Sequence, residues 1–416
     1  MSALPRSIVA LRHRNFRLLW TSQLISTAGS MMQSAAILWH VSLLVPTDRR
    51  GIALGMVGMV KLIPILALAL PSGVVADALN RRKLMLITQS GMALSAAVLA
   101  VVAFTGVTTL WPVYVLAALG SAFGTFDGPA RQSLVPSLVP REHLANAISL
   151  NTIMFQAASV LGPALGGIVI GSLGVAWAYA LNAVSFLFVI FALLEMRGVP
   201  RVAEGEKSGI TWRAAREGLA FVFRAPLIRS TMLLDFFATF FASATALLPI
   251  FAQDVLHVGA EGYGLLSAAP SVGAALTSIA LVPLIEKIDR RGRTLLWAVA
   301  GYGLATIVFG VSRSFWLTFA CLALTGATDT VSMVIRNVIR QLHTPDSMRG
   351  RMTGVNMVFF MGGPQLGELE AGLVAQGFGA PLSVITGGIG CIAATAWVAA
   401  RTPDLRAYRR DVPPHP

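Results

Sequence analysis

The chain has 416 residues, 55% of them hydrophobic and only 12% charged, and its mean hydropathy is +0.72. Soluble domains carry roughly 25% charged residues, so a water-soluble globular protein is excluded. A net charge of +13 would suggest a nucleic-acid partner in a soluble chain. Here the basic residues sit in short loops between apolar runs, the pattern that sets membrane topology, and no nucleic acid is expected.

A helix needs about 20 apolar residues to cross a bilayer. Spans are predicted at 16–44, 52–76, 84–104, 110–130, 144–170, 176–196, 227–253, 262–285, 294–312, 315–338, 352–375 and 382–400. Arg6, Arg12, Arg14 and Arg17 precede the first span and no small-residue cleavage site follows a short apolar core, which predicts a retained helix rather than a cleaved signal. The result is an all-α membrane protein of 12 transmembrane helices in two pseudo-symmetric six-helix halves, 1–196 and 227–400. The linker 197–226 holds a flexible stretch, Glu204–Gly209, then an amphipathic run, 211–223, expected along the membrane surface. Residues 401–416 form a tail. With the N-terminus inside, the outward loops carry only Arg49, Arg50 and Arg313, Lys61 falls within a span, and the remaining basic residues are cytoplasmic. Both termini are therefore expected in the cytoplasm of an inner-membrane, multi-pass protein.

The two halves repeat one another. Arg131, Pro140, Asn151, Leu161, Gly162, Gly167, Val169 and Gly174 recur in the same order and spacing as Arg336, Pro345, Asn356, Leu366, Gly367, Gly372, Val374 and Gly379. Duplicated halves with helices interrupted by Gly and Pro are the plan of a secondary transporter.

Ionisable side chains inside spans are expensive and default to functional candidates. Glu368 and Glu370 lie within the eleventh span, two residues apart, so they project about 200° from each other on a regular helix. Asp235 lies in the seventh span and Asp329 in the tenth; all four carboxylates are candidates for proton coupling or for lining a substrate cavity. Lys61, in the second span, either pairs with an anion or snorkels outward. Asp127 and Arg131, four apart in the fourth helix, are placed to pair with each other. Gln23 and Gln33 add polar groups to the first span, with Ser26 and His40, and Phe236, Phe237, Phe240 and Phe241 offer either an adaptable apolar wall or helix packing.

Other classes fit poorly. The six histidines are scattered, no nucleophile motif precedes a helix, and no phosphate-cradling Gly loop is present, so an enzyme, an ATP-driven pump, a metal site and a cofactor are not expected. Cys321 and Cys391 fall inside apolar runs and read as small buried hydrophobes.

Several stretches together carry a family resemblance. They are Leu11 to Trp20 followed by Gln23, Ser26, Gly29 and Trp39; Gly128-Pro129-Ala130-Arg131-Gln132 through Val139-Pro140 to Leu144-Ala145-Asn146-Ala147 and Asn151; and Thr344-Pro345-Asp346 with Arg349-Gly350-Arg351. In these the chain resembles the major facilitator superfamily, in the branch of enterobactin exporters and macrolide efflux proteins. The resemblance implies alternating-access export of amphipathic small molecules driven by a proton gradient; a monomer is expected. A proton-linked importer on the same fold is the alternative. Gly73 to Asp77 with Arg81 and Arg82 resembles the superfamily's cytoplasmic gate loop, with Ala78 and Asn80 departing from the pattern; Asp289, Arg290 and Arg293 are its second-half counterpart, and Arg131 and Arg336 complete the expected gate. The competing role for these bases is topological anchoring. Gly162-Pro163-Ala164-Leu165-Gly166-Gly167 is similar to an exporter motif whose small residues form a helix pivot, repeated at Gly367 and Gly372. The buried arginine that many proton antiporters of the superfamily carry in the fourth span is absent.

Overall fold

A bilayer core offers backbone groups no water, so each must bond within its own segment. The computed structural model meets that demand with helices and, among the described residues, no strand. It describes residues 6–198, 212–242, 244–281, 283–345 and 348–410; the linker stretch Glu204–Gly209 and the last six residues of the tail lie outside them. The helices are α1 (Arg14–Leu44), α2 (Arg50–Ala78), α3 (Arg81–Phe104), α4 (Trp111–Leu134), α5 (Leu144–Leu173), α6 (Val175–Glu195), α7 (Trp212–Arg224), α8 (Pro226–Phe241), α9 (Leu248–Ile250), α10 (Gly259–Leu281), α11 (Arg291–Val311), α12 (Phe315–Leu342), α13 (Arg349–Phe378), α14 (Ala380–Arg401) and α15 (Pro403–Ala407). Among the described residues, nine helical segments are long and apolar enough to cross a membrane. Helices α1, α4 and α13 match them in length at 31, 24 and 30 residues, but carry the in-span polar groups Gln23, Gln33, Asp127, Glu368 and Glu370.

One predicted span is not a continuous helix. The seventh, 227–253, breaks after Phe241: Ala242 leaves helical geometry at φ −114°, ψ 22°, and a 3-10 turn leads into α9 and a π-helical turn, Phe251–Val255. Pro249 inside the second segment lacks an N–H for a regular ladder, which favours the irregular stretch. The amphipathic run becomes α7, and its Val222 packs with Ile228, Met232, Met352 and Val355 of α8 and α13. Leu219 and Phe223 remain exposed, so only part of its apolar face is free to lie on a membrane.

The chain divides into two compact units, residues 1–44 with 60–210, and 45–59 with 211–416. The first half of α2 thus packs with the second unit. There Gly51, Gly55 and Gly58 lie against α13: a Cβ on Gly55 would stand 3.1 Å from the Cα atoms of Gly372 and Leu369. Contacts between small residues of this kind let two helix backbones touch. Arg50 donates to Asp254 (3.0 Å), and Gln376 of α13 bonds the Asp48 carbonyl, which fastens the same end of α2.

In the first unit, Phe16, Leu19, Leu84, Met85, Leu134, Leu150 and Leu193 form a buried cluster near the predicted cytoplasmic ends of the helices. Asn80 caps α3 by accepting from the Arg82 and Lys83 amides. Gly174 and Gly379 end α5 and α13 with φ of +94° and +86°, a conformation only glycine adopts freely, which explains why the repeat keeps them. At Gly162 the close partner is α1: a Cβ would lie 2.5 Å from the Ala28 carbonyl oxygen and 2.5 Å from Met31 Cβ. Gly162→Leu should therefore overpack this crossing, at a cost of about 1–3 kcal/mol, and block turnover in a transport assay while the protein still inserts; normal turnover would reduce the motif to filler.

The segment before α1 is docked by polar bonds. The Ala10 amide donates to Asn146 Oδ1 (3.0 Å), and His13 Nε2 shares a proton with His143 Nδ1 at 2.9 Å. Burial, then the neighbouring His143, pushes the His13 pKa down, against a smaller opposing pull from Glu142. A histidine whose pKa is depressed on docking binds its proton more readily when undocked, so docking is complete above about pH 6.5 and weakens as pH falls below it. Hydrogen exchange of residues 8–12, corrected for intrinsic rates, should be faster at pH 5.5 than at pH 7.5, and His13→Asn should remove the difference. Equal protection at both pH values would refute the coupling.

Candidate functional site

The charged groups of the second unit converge on α8 and α12. Asp235 and Arg336 are both buried, and an Arg336 Nη1 hydrogen joins Asp235 Oδ1 in a direct ion pair. Arg336 Nη2 reaches Asp329 Oδ1 at 3.4 Å, two turns away on the same helix face. The side chains of Arg336 and Asp235 are 2% and 4% exposed, whereas that of Asp329 is 45% exposed. Arg340, one turn beyond Arg336, is also buried and donates to Asn337. Arg336, expected in the cytoplasmic gate, has its guanidinium bonded to Asp235 inside the unit. Its charge opposite Asp235, both within spans, was the available signal, because two lone in-span charges of opposite sign neutralise each other best as a pair. Arg340 lies beyond the predicted tenth span, 315–338, and so carries no in-span signal.

The equivalent arginine of the first unit does something different. Arg131 donates to Gln23 Oε1 (2.9 Å), while Asp127, buried, accepts from Thr88 (3.0 Å) and Gln89 (2.9 Å). The expected Asp127–Arg131 pair is therefore not formed. Gln33 accepts from Asn182 Nδ2 (2.7 Å), whose Oδ1 in turn accepts from Ser185 (2.9 Å), and His40 meets the Tyr179 hydroxyl at 3.2 Å. Gln23 and Gln33 thus tie α1 to α4 and α6. Lys61 sits half-buried on α2.

Glu368 and Glu370 separate as their spacing requires. Glu368 leans on the glycine face of α2, where a Cβ on Gly58 would stand 2.7 Å from its Oε2. Glu370 is half-buried; its Oε2 is enclosed and has no hydrogen-bond partner among the described residues. Gly367 packs against the backbone of Phe240, and Gly372 against α2, so both repeat glycines serve close contacts.

The phenylalanines of α8 are packing groups. Phe236 stacks on Phe240 (5.6 Å between centroids) and meets Phe359 of α13 edge-on (6.0 Å), while Phe237 meets Trp397 of α14 (6.3 Å). At the predicted cytoplasmic ends, Arg81 donates to the Ser133 carbonyl (2.7 Å) and Arg82 to the Leu194 carbonyl (3.0 Å). Arg81 and Arg82 thus hold carbonyl groups of α4 and α6. Gly73 lies on α2, and the Asp77 side chain falls outside the described set. Asp289 and Arg290, on the loop into α11, and Arg293, in its first turn, are exposed, and the tail folds over this corner: the Gly292 amide donates to Tyr408 O (3.0 Å) and the Arg410 amide to Asp289 O (2.8 Å).

Long apolar helices in two units, with buried charge among them, are the architecture of a transporter of the major facilitator superfamily, and the family and relatives that the chain matches are transporters of that class. The chain belongs to the transmembrane secretion effector family of that superfamily, whose family model matches residues 6–411. It is 25% identical over 402 residues to the enterobactin exporter EntS of Citrobacter koseri, covering 96% of this chain and 95% of that one. Among solved structures, a POT family transporter in complex with a thioalcohol-conjugated peptide superposes with a TM-score of 0.74 at 11% identity, covering 94% of this chain and 96% of the other. A bacterial homologue of the iron transporter ferroportin superposes with a TM-score of 0.66 at 17% identity, covering 92% and 99%. At these identities the two structures establish the fold.

Charge removal should separate the glutamates. Glu370→Gln replaces a carboxylate whose Oε2 has no hydrogen-bond partner among the described residues and should raise stability by about 1 kcal/mol, whereas Glu368→Gln, at a residue that is not without a partner, should lower it. Thermal unfolding in detergent reads both; a destabilised Glu370→Gln variant would show that the carboxylate holds a bond.

Proposed function

We propose that the protein is an inner-membrane exporter of amphipathic small molecules that exchanges them for protons by alternating access, as a monomer with both termini in the cytoplasm. The observation that carries the reading is the set Asp235, Arg336 and Asp329, a buried ion pair with a second carboxylate open beside it. A transporter driven by protons needs a carboxylate whose charge can be cancelled and restored inside the membrane, and in-span ionisable groups mark such pathways. Asp329, loosely held, and Glu370, without a bonding partner among the described residues, are the carboxylates suited to it. The enterobactin exporters among the relatives support the outward direction and a bulky solute.

Movement between inward- and outward-open states is assigned to two devices. Gly162-Pro163 with Gly166-Gly167 on α5 provides the pivot, since a proline frees one carbonyl and the glycines allow close sliding. Asp289, Arg290 and Arg293, with Asp77, Arg81, Arg82 and Arg131, provide the cytoplasmic gate.

The test uses inside-out membrane vesicles holding a preformed inside-acid pH gradient, to which siderophores, macrolides, dyes and sugars are added singly. Collapse of the gradient by one chemical class, absent from vesicles lacking the protein, is the expected result. No response to any compound, with labelled solute entering the vesicles independently of the gradient, would remove proton coupling from the proposal.

A further inference from the structure

Three helices of the second unit enclose a groove that none of the charged residues described above lines. Helix α12 packs against both α10 and α11, which hardly touch each other. Gly273 and Gly326 leave no room for a Cβ where α10 crosses α12, so the two backbones meet there and α10 is held on α12, away from α11. The gap measures about 340 Å³; Ala327, Thr328 and Val331 of α12 line it, with Thr277 of α10 and Thr294 and Trp297 of α11. That is the size of a small-molecule pocket, about 300–1,000 Å³, yet it lies among three membrane-spanning helices.

The lining selects hydrocarbon. Thr294 donates its hydroxyl to the Arg290 carbonyl (3.1 Å) and Thr328 to the Leu324 carbonyl (2.8 Å), so both spend their hydrogen on their own helices. Leu276 and Ile279, on the same helix as Thr277, are 65% and 75% exposed, and Trp297 is 77% exposed. A surface this apolar belongs in lipid.

The rim is cationic. Arg293 precedes Trp297 by four residues, one turn nearer the start of α11 on the same face, and both are exposed. Arg290 stands at the N-cap of that helix and Lys287 in the loop before it, both exposed. None of these three cations is in an ion pair among the described residues. The segments 286–293 and 401–410, joined by the folded tail, carry eight basic and three acidic residues. A basic rim, an indole one turn further in and an apolar groove beyond it follow the layers of one molecule: phosphate, glycerol level and acyl chain.

We infer that the groove between α10 and α11 binds an anionic phospholipid, one acyl chain lying on Ala327, Thr328 and Val331 and the headgroup held by Arg290, Arg293 and Lys287. A zwitterionic lipid brings the same chain but sets an ammonium group among these cations, and a soluble phosphate brings no chain. Arg290 and Arg293 also belong to the proposed gate, so lipid binding and gating draw on the same two charges.

The experiment reconstitutes the full-length chain in phosphatidylcholine bilayers with a low mole fraction of phosphatidylglycerol. One lipid at a time carries brominated acyl chains, which quench the tryptophans they touch. The Trp297→Phe variant, measured alongside, isolates the share of quenching that belongs to Trp297. Brominated phosphatidylglycerol should quench Trp297 more than the same mole fraction of brominated phosphatidylcholine. Arg293→Gln should lower that preference about fivefold, the worth of one basic residue at a membrane surface, and Arg293→Lys should retain it. Ala327→Leu, which fills the groove and leaves every charge in place, should lower it too, whereas Thr328→Val, which keeps the shape, should not. Equal quenching by the two brominated lipids would reduce the groove to ordinary lipid contact and overturn the inference. A preference that survives both Arg293→Gln and Ala327→Leu would do the same. Displacement of the brominated lipid by a solute that collapses the pH gradient in the vesicle test would overturn the lipid as occupant and give the groove to the solute.

Discussion

Arginine keeps its charge under all physiological conditions, so a guanidinium inside a membrane-embedded bundle must find an anion or carry an unmet charge. Arg336 meets that requirement through Asp235, and the consequences spread through the second unit. The pair fixes α8 against α12 at one register. It also sets the point from which Asp329 hangs, two turns along the same helix face. Removing one member of a buried pair typically costs about 3–5 kcal/mol, a large share of any domain's stability. The interaction therefore fixes both the architecture and the electrostatics of the unit.

The first unit solves the equivalent problem with neutral partners. Arg131 is answered by the carbonyl oxygen of Gln23, and Asp127 by Thr88 and Gln89, so its two charges are each hydrogen-bonded and kept apart. Repeated sequence has thus produced dissimilar electrostatics. Arg131 and Arg336 share a position in the duplication and differ in what surrounds them. In the second unit the charges pair with one another, while the amide and hydroxyl network of the first knits α1 to α4 and α6.

Much of this was legible in the residues. Hydrophobic runs placed the helices to within a few residues, because the bilayer demands continuous apolar length and punishes anything else. The repeated glycines at 174 and 379 were legible as a repeat, and the positive φ at both shows why. The break after Phe241 was not, since nothing in that apolar stretch signals a 3-10 turn before Pro249. The partners of in-span charges were only partly legible: opposite sign hinted at the Asp235–Arg336 pair, and nothing fixed the others. Asp127 and Arg131 looked like a pair by spacing and are not, because tertiary neighbours outbid a four-residue separation along one helix. Asp235 and Arg336 lie a hundred residues apart, and only the fold brings them together. The glutamates behaved as helical geometry required, two residues apart and on different sides.

The glycine face of α2 bears on how the protein is made. Gly51 and Gly55 emerge from the ribosome early, yet the surface they fit, around Gly372 of α13, is translated some three hundred residues later. At about 5–20 residues per second, that interval is on the order of tens of seconds. During it the start of α2 sits in the membrane with its contact face empty, next to Arg50, whose anion Asp254 is also still unmade. Biogenesis thus has to shelter a small-residue surface and a charge until the chain is nearly finished, and the last helices to insert complete the packing of one of the first.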